Sequence, residues 1–314
     1  MNFNLTEEQV ALQDTLRRFV TKDYGFEQRR ALAKSADGFS RKHWQTLAEL
    51  GVLALQFPSA YGGLDGTGVD TMLVMEAIGR GLVLEPYLAT VVLAGGLIRD
   101  AGSDAQREKL LPAIAQGELL LALAHQEPGA RYAFDHVATK ATADGAGWRL
   151  SGHKAVVLSA PSADRLLVSA RTRGGTRDAQ GVSLFLVDRA APGATVRGYA
   201  TQDGGRAAEV VLNNVRVEAD ALVGAKDAAL PALERAFDYG IAALCAEAVG
   251  IMTALNETTL EYLKTRKQFG VPIGKFQALQ HRMADMVINT EQARSMALLA
   301  AVKVDAADRA ERRR

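Results

Sequence analysis

The spacing of apolar residues changes twice along the chain, and this change restricts the folds that the sequence can adopt. Residues 1–118 and 224–314 place apolar side chains at helical spacing, whereas residues 119–223 contain short runs rich in Val, Leu and Phe. These runs follow one another without helices between them, which argues against a doubly wound α/β sheet. We therefore expect an α+β protein with an N-terminal helical domain (1–118), a middle antiparallel β-barrel or sandwich domain (119–223) and a C-terminal helical bundle (224–314).

Local patterns support the helical part of this assignment. Thr6 and Gln9 form a capping box, in which the Thr6 hydroxyl accepts from the Gln9 amide and the Gln9 side chain reaches back. The last two helices are long and apolar on one face, so they need other helices to cover them. Beyond the first helix, we expect helices near 40–50, 68–83, 103–116, 231–267 and 275–306.

The middle region contains three stretches with strand character, GWRLSGHKAVVLSA, GVSLFLVDR and AEVVLNNVRV. In the third stretch apolar residues alternate on both sides of Asn213-Asn214, which predicts a β-hairpin that turns at these two residues. The stretch LLALAHQEPGARYAF, which leads into this region, predicts a strand that ends in a turn at Glu127-Pro128-Gly129.

Composition excludes several classes of function. The 37 basic and 36 acidic residues leave a formal net charge of +1, which disfavours nucleic-acid or membrane-surface binding. Cys245 is the single cysteine, so an internal disulfide is impossible, and the five histidines lack metal-ligand spacing, so we expect no metal site. The apolar runs near 88–97 and 241–252 are too short or too interrupted to span a bilayer. We expect a soluble cytoplasmic protein.

The stretch YLKTRKQFGVPIGKFQALQHRMADM gathers an unusual set of residues at a helix break. Gly270 and Pro272 end one helix, so Arg266, Lys267 and Phe269 lie at its end and face outward. A solvated basic turn between two helices explains this cluster, and so does a site for a flat anionic ligand. No G-x-G-x-x-G follows a strand and no P-loop is present, so neither nucleotide-binding fingerprint decides between the two.

This stretch resembles the C-terminal signature of the acyl-CoA dehydrogenase family. The stretches GSDAQREKLLPAIAQGELLLALAHQEPGA and LSGHKAVVLSAPSADRLLVSAR are similar to the family's flavin-binding segments, so the resemblance covers essentially the whole chain. It implies FAD as the cofactor. In the family, the arginine matching Arg266 reaches the FAD diphosphate of a neighbouring subunit, where its planar fork donates two parallel bonds. The aromatic residue matching Phe269 packs near the adenosine, and the glutamine matching Gln277 hydrogen-bonds the cofactor.

The resemblance also implies which residues contact the flavin, and here the chain departs from the family. Gln126 stands where the family has Thr or Ser, although its amide can still donate to a flavin oxygen. Arg131, Tyr132 and Ala133 replace the family's Gly-Ser-Asp, so a serine that touches cofactor and substrate is missing. The residues that match the two flavin strands are Leu123, Ala124, His125 and Gln126 in the first and Val156, Val157 and Leu158 in the second, where the family has Trp-Ile-Thr.

The family reaction requires a carboxylate that removes the α proton on the face opposite the flavin. Most members carry this glutamate beyond the last long helices, and four-helix bundle architecture implies about 60–70 further residues in a longer natural polypeptide. A minority carry it at the position of Gly240, beside an arginine that is Ile241 here. Glu247 lies two turns further along the same helical face, where burial would raise its pKa. It is our candidate base, with a structural glutamate as the alternative.

Two more residues are substrate-binding candidates. Asp238 matches a family aspartate near the thioester or the CoA arm. Tyr132, with Arg131, is placed to meet the second carboxylate of a dicarboxylic acyl chain, although an exposed loop pair explains these two equally well.

The resemblance thus implies a flavoprotein oxidoreductase of fatty acid metabolism. Its reaction would be the α,β-dehydrogenation of an acyl-CoA, including a dicarboxylyl-CoA such as pimeloyl-CoA, with electrons passed to an electron-transfer flavoprotein. Within the family the chain most resembles the small subunit of pimeloyl-CoA dehydrogenase, so we expect a homo- or hetero-oligomer, dimer or tetramer, with a related subunit. Two alternatives remain: a non-catalytic partner subunit that completes a neighbour's FAD site, and an acyl-CoA oxidase.

Overall fold

The computed structural model describes residues 4–314, and the chain divides into two units that interleave along the sequence. The first unit comprises Met1–Arg29, Thr67–Val83 and Ile241–Arg314, and the second comprises Arg30–Gly66 and Leu84–Gly240. Helices, then strands, then helices follow one another along the chain. The expected α+β fold class is therefore confirmed, whereas the three domain boundaries expected from the sequence remain a prediction.

Each helix that the sequence predicts is present, whereas Phe26–Lys34, Gly96–Ala101 and Arg309–Arg312 form helices that it does not predict. The capping box at Thr6 is present, with the Gln9 amide 3.2 Å from the Thr6 hydroxyl. A π-helical segment at Leu88–Gly95 leads directly into a short α-helix. The helices of residues 4–314 are α1 (Glu7–Lys22), α2 (Phe26–Lys34), α3 (Arg41–Glu49), α4 (Gly68–Gly81), α5 (Gly96–Ala101), α6 (Asp104–Ala115), α7 (Leu230–Thr265), α8 (Gln277–Lys303) and α9 (Arg309–Arg312).

The second unit contains one eight-stranded sheet with the order β6-β7-β3-β2-β4-β5-β8, and β1 pairs with β4 beside this path. The sheet is mixed, which corrects the purely antiparallel barrel or sandwich expected from the sequence: β1 and β2 both run parallel to β4. The strands are β1 (Leu121–Ala124), β2 (Lys140–Asp144), β3 (Gly147–Leu158), β4 (Arg165–Arg171), β5 (Val182–Asp188), β6 (Ala194–Ala200), β7 (Arg206–Val217) and β8 (Leu222–Val223).

The hairpin predicted at Asn213-Asn214 is wrong. Both residues lie inside β7, a single strand of 12 residues that pairs with β3. The register shifts between Leu150 and Gly152, and Asn214 has φ +52°, so the two asparagines form a bulge. A bulge and a tight turn both need a residue that tolerates positive φ, and asparagine supplies it in either case.

In the first unit, α4 and the later part of α7 cross in close contact through two glycines. A Cβ atom at Gly79 would lie 2.0 Å from the carbonyl oxygen of Glu247, and one at Gly250 would lie 2.0 Å from that of Glu76. Two ion pairs flank this crossing, Arg80 with Glu257 and Arg294 with Glu76. Only residues without a side chain allow the two backbones to approach this closely.

By length and composition α7 could cross a bilayer, contrary to the expectation from its apolar run. It has 36 residues, and its most apolar 18-residue window has a mean hydropathy of 1.4, with 39% of that window buried. Its buried positions include Ala242, Ala243, Ala246 and Val249. A helix that packs into a protein core meets the same length and hydropathy criteria, so the pattern does not by itself indicate a membrane span.

Candidate functional site

A cavity of about 280 Å³ opens in the second unit beside the ends of β1 and β3. Most of its wall is apolar, and its polar side chains come from the end of β1. Five of its residues are flavin-contact candidates from the sequence. The lining residues are Ala89, Leu93, Leu123, His125, Gln126, Val156, Leu158 and Phe237.

Strand alternation decides which candidates on β1 reach the cavity. Leu123 and His125 lie two residues apart and line it, whereas Ala124 points to the other side and is fully buried in the core of the sheet. Gln126 follows at the strand end, is exposed, and also lines the cavity. Three of the four candidates in and directly after β1 therefore line the cavity, and Ala124 packs on the opposite side, in the core of the sheet.

The same alternation applies on β3, with an added distortion. Val156 and Leu158 line the cavity and are 52% and 39% exposed, while Val157 is buried in the sheet core. The register with β7 shifts between Lys154 and Val157, and Val156 has φ +52°. A β-branched residue at positive φ is an outlier, and such backbone strain is concentrated at functional sites.

A buried hydrogen-bonded chain lies behind His125. The His125 Nε2 atom is 3.0 Å from the carbonyl oxygen of Phe134, and its Nδ1 atom is 2.9 Å from the Ser169 hydroxyl. A carbonyl only accepts, so Nε2 carries the proton and Nδ1 accepts from Ser169. The Lys154 ammonium donates to Ser169 at 3.1 Å and to Glu127 at 2.6 Å. The tautomer of the histidine is thereby fixed.

This network shifts three pKa values. Burial, and then the charge of Lys154, lower the pKa of His125 to about 4, so the imidazole is neutral at physiological pH. Burial lowers the pKa of Lys154 to about 8, although the attraction of Glu127 opposes that effect. Burial raises the pKa of Glu127, but Lys154 and the hydrogen bonds to Glu127 outweigh burial and hold the pKa below its ordinary value. Lys154 and Glu127 are consequently an ion pair at neutral pH.

Helical residues complete the wall. Ala89 and Leu93 come from the π-helical segment, and Phe237 comes from the first part of α7. Phe237 packs against His125 and Phe134 with ring centroids 5.5 Å away in both cases. A Cβ atom at Gly240 would lie 2.8 Å from the Leu93 Cδ2 atom, so Leu93 closely covers this glycine.

The first unit carries the other cofactor candidates on an exposed hairpin. The two-residue strands β9 (Lys267–Gln268) and β10 (Val271–Pro272) pair across Phe269 and Gly270, which have φ +53° and +79°. Phe269 is 91% exposed and contacts Phe276 edge to face at 5.9 Å. Arg266 is exposed where α7 ends, and Gln277 is exposed as the first residue of α8. This arrangement agrees with the helix break expected there.

The remaining candidates lie at separate places. Tyr132 is fully exposed on the loop after β1, and Asp238 is half-buried on α7, next to Phe237 in the chain. Glu247 is half-buried in the first unit, and its backbone packs against Gly79. Its assignment as the base, like the substrate roles of the other two, remains a prediction.

Sequence reasoning missed Lys154, Glu127, Ser169 and Phe237. One pattern could have revealed the ion pair: Lys154 stands in an apolar strand, where an unpaired charge is costly, and therefore requires a buried acid. Ala89 and Leu93 lie in the run LEPYLATVVLAGGLI, which suits an acyl pocket and an ordinary core equally well.

Known proteins match both the sequence and this architecture. Family profiles match in chain order: acyl-CoA dehydrogenase N-terminal domain (6–118), middle domain (122–215) and C-terminal domain (230–313). The probable acyl-CoA dehydrogenase YngJ of Bacillus subtilis is 31% identical over 307 residues, which is 96% of this chain and 80% of YngJ.

Solved structures give the same result. Butyryl-CoA dehydrogenase from Megasphaera elsdenii superposes with a TM-score of 0.88 at 27% identity, covering 96% of this chain and 81% of that one. The ChsE4–ChsE5 complex from Mycobacterium tuberculosis gives 0.86 at 30% identity, covering 97% of this chain and 79% of that one.

Proposed function

We propose a function from the premise that this chain belongs to the acyl-CoA dehydrogenase family of FAD-dependent oxidoreductases. In this proposal, the second-unit cavity receives the flavin ring and the reacting part of an acyl-CoA. One observation carries the proposal. Leu123, His125, Gln126, Val156 and Leu158 match the family's flavin contacts, and all five line a single cavity.

The residues present fit FAD. The apolar wall suits a flat ring. The exposed Arg266 guanidinium suits the diphosphate of an FAD held by a neighbouring subunit, which it can engage through two parallel hydrogen bonds. Phe269 is 91% exposed, which leaves its ring available to pack on another molecule. When bound, FAD accepts the β hydrogen of the acyl chain as a hydride. The protein would orient the acyl chain, exclude water from the cavity and supply a base for the α proton.

The lining of the cavity favours an acyl chain without a terminal charge. Gln126 already donates its amide to the Arg131 carbonyl, and both ring nitrogens of His125 are engaged. A carboxylate brought into this cavity would lose its hydration without gaining a cation from the wall. We therefore propose a monocarboxylic acyl-CoA, with pimeloyl-CoA, which the sequence resemblance implies, as the competing substrate.

A second candidate is a partner subunit that completes a neighbour's FAD site and supplies no base. Gly240, which matches one position of the family base, is closely covered by Leu93, so a carboxylate there would require Leu93 to move. The exposed Arg266 and Phe269 suit contact with a second subunit, and the ChsE4–ChsE5 relative is itself a complex. Under the first candidate, Glu247 is the proposed base and an electron-transfer flavoprotein the proposed acceptor.

An anaerobic visible spectrum of the purified protein separates the two candidates. Bleaching of the flavin band on addition of a medium-chain acyl-CoA supports the dehydrogenase, provided that Glu247→Gln slows this bleaching. A flavin band that acyl-CoA leaves unchanged supports the partner subunit, and a protein that binds no FAD contradicts the flavin-site proposal. Pimeloyl-CoA in a parallel cuvette tests the substrate preference.

A further inference from the structure

The loop that follows β1 is held at three points by three consecutive side chains. His125 donates from Nε2 to the Phe134 carbonyl at 3.0 Å, and Gln126 donates its amide to the Arg131 carbonyl. Glu127 binds the far end of the loop by accepting from two backbone amides. These are the amides of Ala138 at 2.7 Å and Thr139 at 3.0 Å.

The loop needs such support because it contains a strained residue. Arg131 has φ +49°, a conformation that glycine adopts without strain and that a long side chain disfavours. Gln126 binds the carbonyl of this same residue. The loop therefore holds Arg131 in a conformation that its side chain does not favour.

Lys154 and Ser169 fix two of the supporting residues, His125 and Glu127. Lys154 donates to the His125 carbonyl at 3.2 Å, to Glu127 and to Ser169, and Ser169 sets the tautomer that makes His125 Nε2 a donor. The His125 ring is further held between Phe134 and Phe237, at 5.2 and 5.5 Å. Both His125 and Gln126 also line the cavity, so their orientation shapes the loop and the cavity wall together.

We propose that His125 and Gln126 are positioning residues that hold the 128–137 loop in its strained conformation at the cavity edge before any ligand binds. The loop is therefore preorganised, and FAD meets a wall that is already formed. His125 does not act as the base in this scheme, because its Nδ1 lone pair accepts from Ser169 and Nε2 carries a proton. The loop geometry carries this inference independently of the reaction that the protein performs.

Hydrogen–deuterium exchange of the 128–137 peptide in the purified protein tests the proposal. His125→Leu and Gln126→Leu should each speed exchange of this peptide about tenfold, the factor expected when one hydrogen bond is lost. His125→Gln, which can still donate and accept, should retain most of the protection. Val156→Ala is the matched control, since Val156 lines the same cavity without binding the loop.

A rescue experiment separates positioning from general damage to the fold. Arg131→Gly removes the strain, so in the Gln126→Leu background it should restore slow exchange. Fast exchange that persists in the double variant would overturn the proposal, as would unchanged exchange in both leucine variants. The exchange measurement needs no bound FAD, so a failure of the flavin proposal is recognised separately, by absent FAD binding with the loop still protected.

Discussion

Replacing Lys154 with methionine should destabilise the protein far more than breaking an exposed ion pair. The Lys154 side chain is 0% exposed and that of Glu127 is 3% exposed, with the charged atoms 2.6 Å apart. Removing the ammonium leaves a buried carboxylate whose remaining donors are the amides of Ala138 and Thr139. The loss of one partner from a buried pair costs about 3–5 kcal/mol, which is a large part of a typical free energy of unfolding of about 5–15 kcal/mol.

Urea unfolding followed by circular dichroism measures this cost. The double variant Lys154→Met/Glu127→Gln should recover part of the loss, because it removes the uncompensated charge as well. Arg177→Met is the control: Arg177 pairs with Asp135 at 3.0 Å, but both side chains are well exposed, so no measurable change is expected. Equal stability of Lys154→Met and the parent protein would refute the reasoning, and so would a double variant no more stable than the single one.

Three further predictions address titration, the exposed hairpin and the crossing of α4 and α7. The pKa of His125 is about 4 in the folded protein against an ordinary 6.5, so the unfolded chain binds the proton first as the pH falls. Between pH 6.5 and 4 the parent should lose about 3 kcal/mol of unfolding free energy that His125→Gln retains. Urea titrations at stepped pH measure this loss, and the same pH dependence of the unfolding free energy in both proteins would contradict the prediction. Arg266→Ala should weaken FAD binding at least about tenfold, and Arg266→Lys should weaken it less, because lysine keeps the charge but lacks the planar guanidinium. Fluorescence titration with FAD measures both affinities. Affinities equal to that of the parent protein would exclude a phosphate contact. Gly250→Ala should lower the thermal midpoint, because its Cβ would lie 2.0 Å from the Glu76 carbonyl oxygen. Gly96→Ala should raise it, because no neighbouring atom of residues 4–314 lies within 4 Å of a Cβ there. The reverse order of the two thermal midpoints would contradict the close crossing.

The sequence was most informative where short-range periodicity decides the structure. Thr6 and Gln9 predict the start of α1, and Gly270 and Pro272 predict the break before α8, because these effects act within one or two turns. Alternation explains why Ala124 and Val157, which the sequence analysis grouped with the flavin contacts, face the core of the sheet instead.

The sequence pattern does not predict which strands pair over long range. Leu121 of β1 pairs in parallel with Arg165, and the local spacing of apolar residues does not specify a partner that far along the chain. The hairpin prediction at Asn213-Asn214 was wrong because a residue with positive φ occurs in a bulge as well as in a turn. Lys154 in an apolar strand indicates a buried acid without identifying Glu127 as that acid, and Phe237 joins the site through tertiary packing alone.

FAD binding to the parent, Val156→Asp and Val156→Asn tests the central claim, that the flavin ring occupies the second-unit cavity, most directly. Val156 lines that cavity at φ +52°, a conformation that Asp and Asn both tolerate, so either variant should fold. The two replacements have nearly the same shape and differ by one charge. We predict that the parent and Val156→Asn bind FAD and that Val156→Asp binds it at least about tenfold more weakly, since an apolar cavity disfavours an unpaired charge. Equal FAD affinity of the Asp and Asn variants, or a parent protein that binds no FAD, would contradict the account.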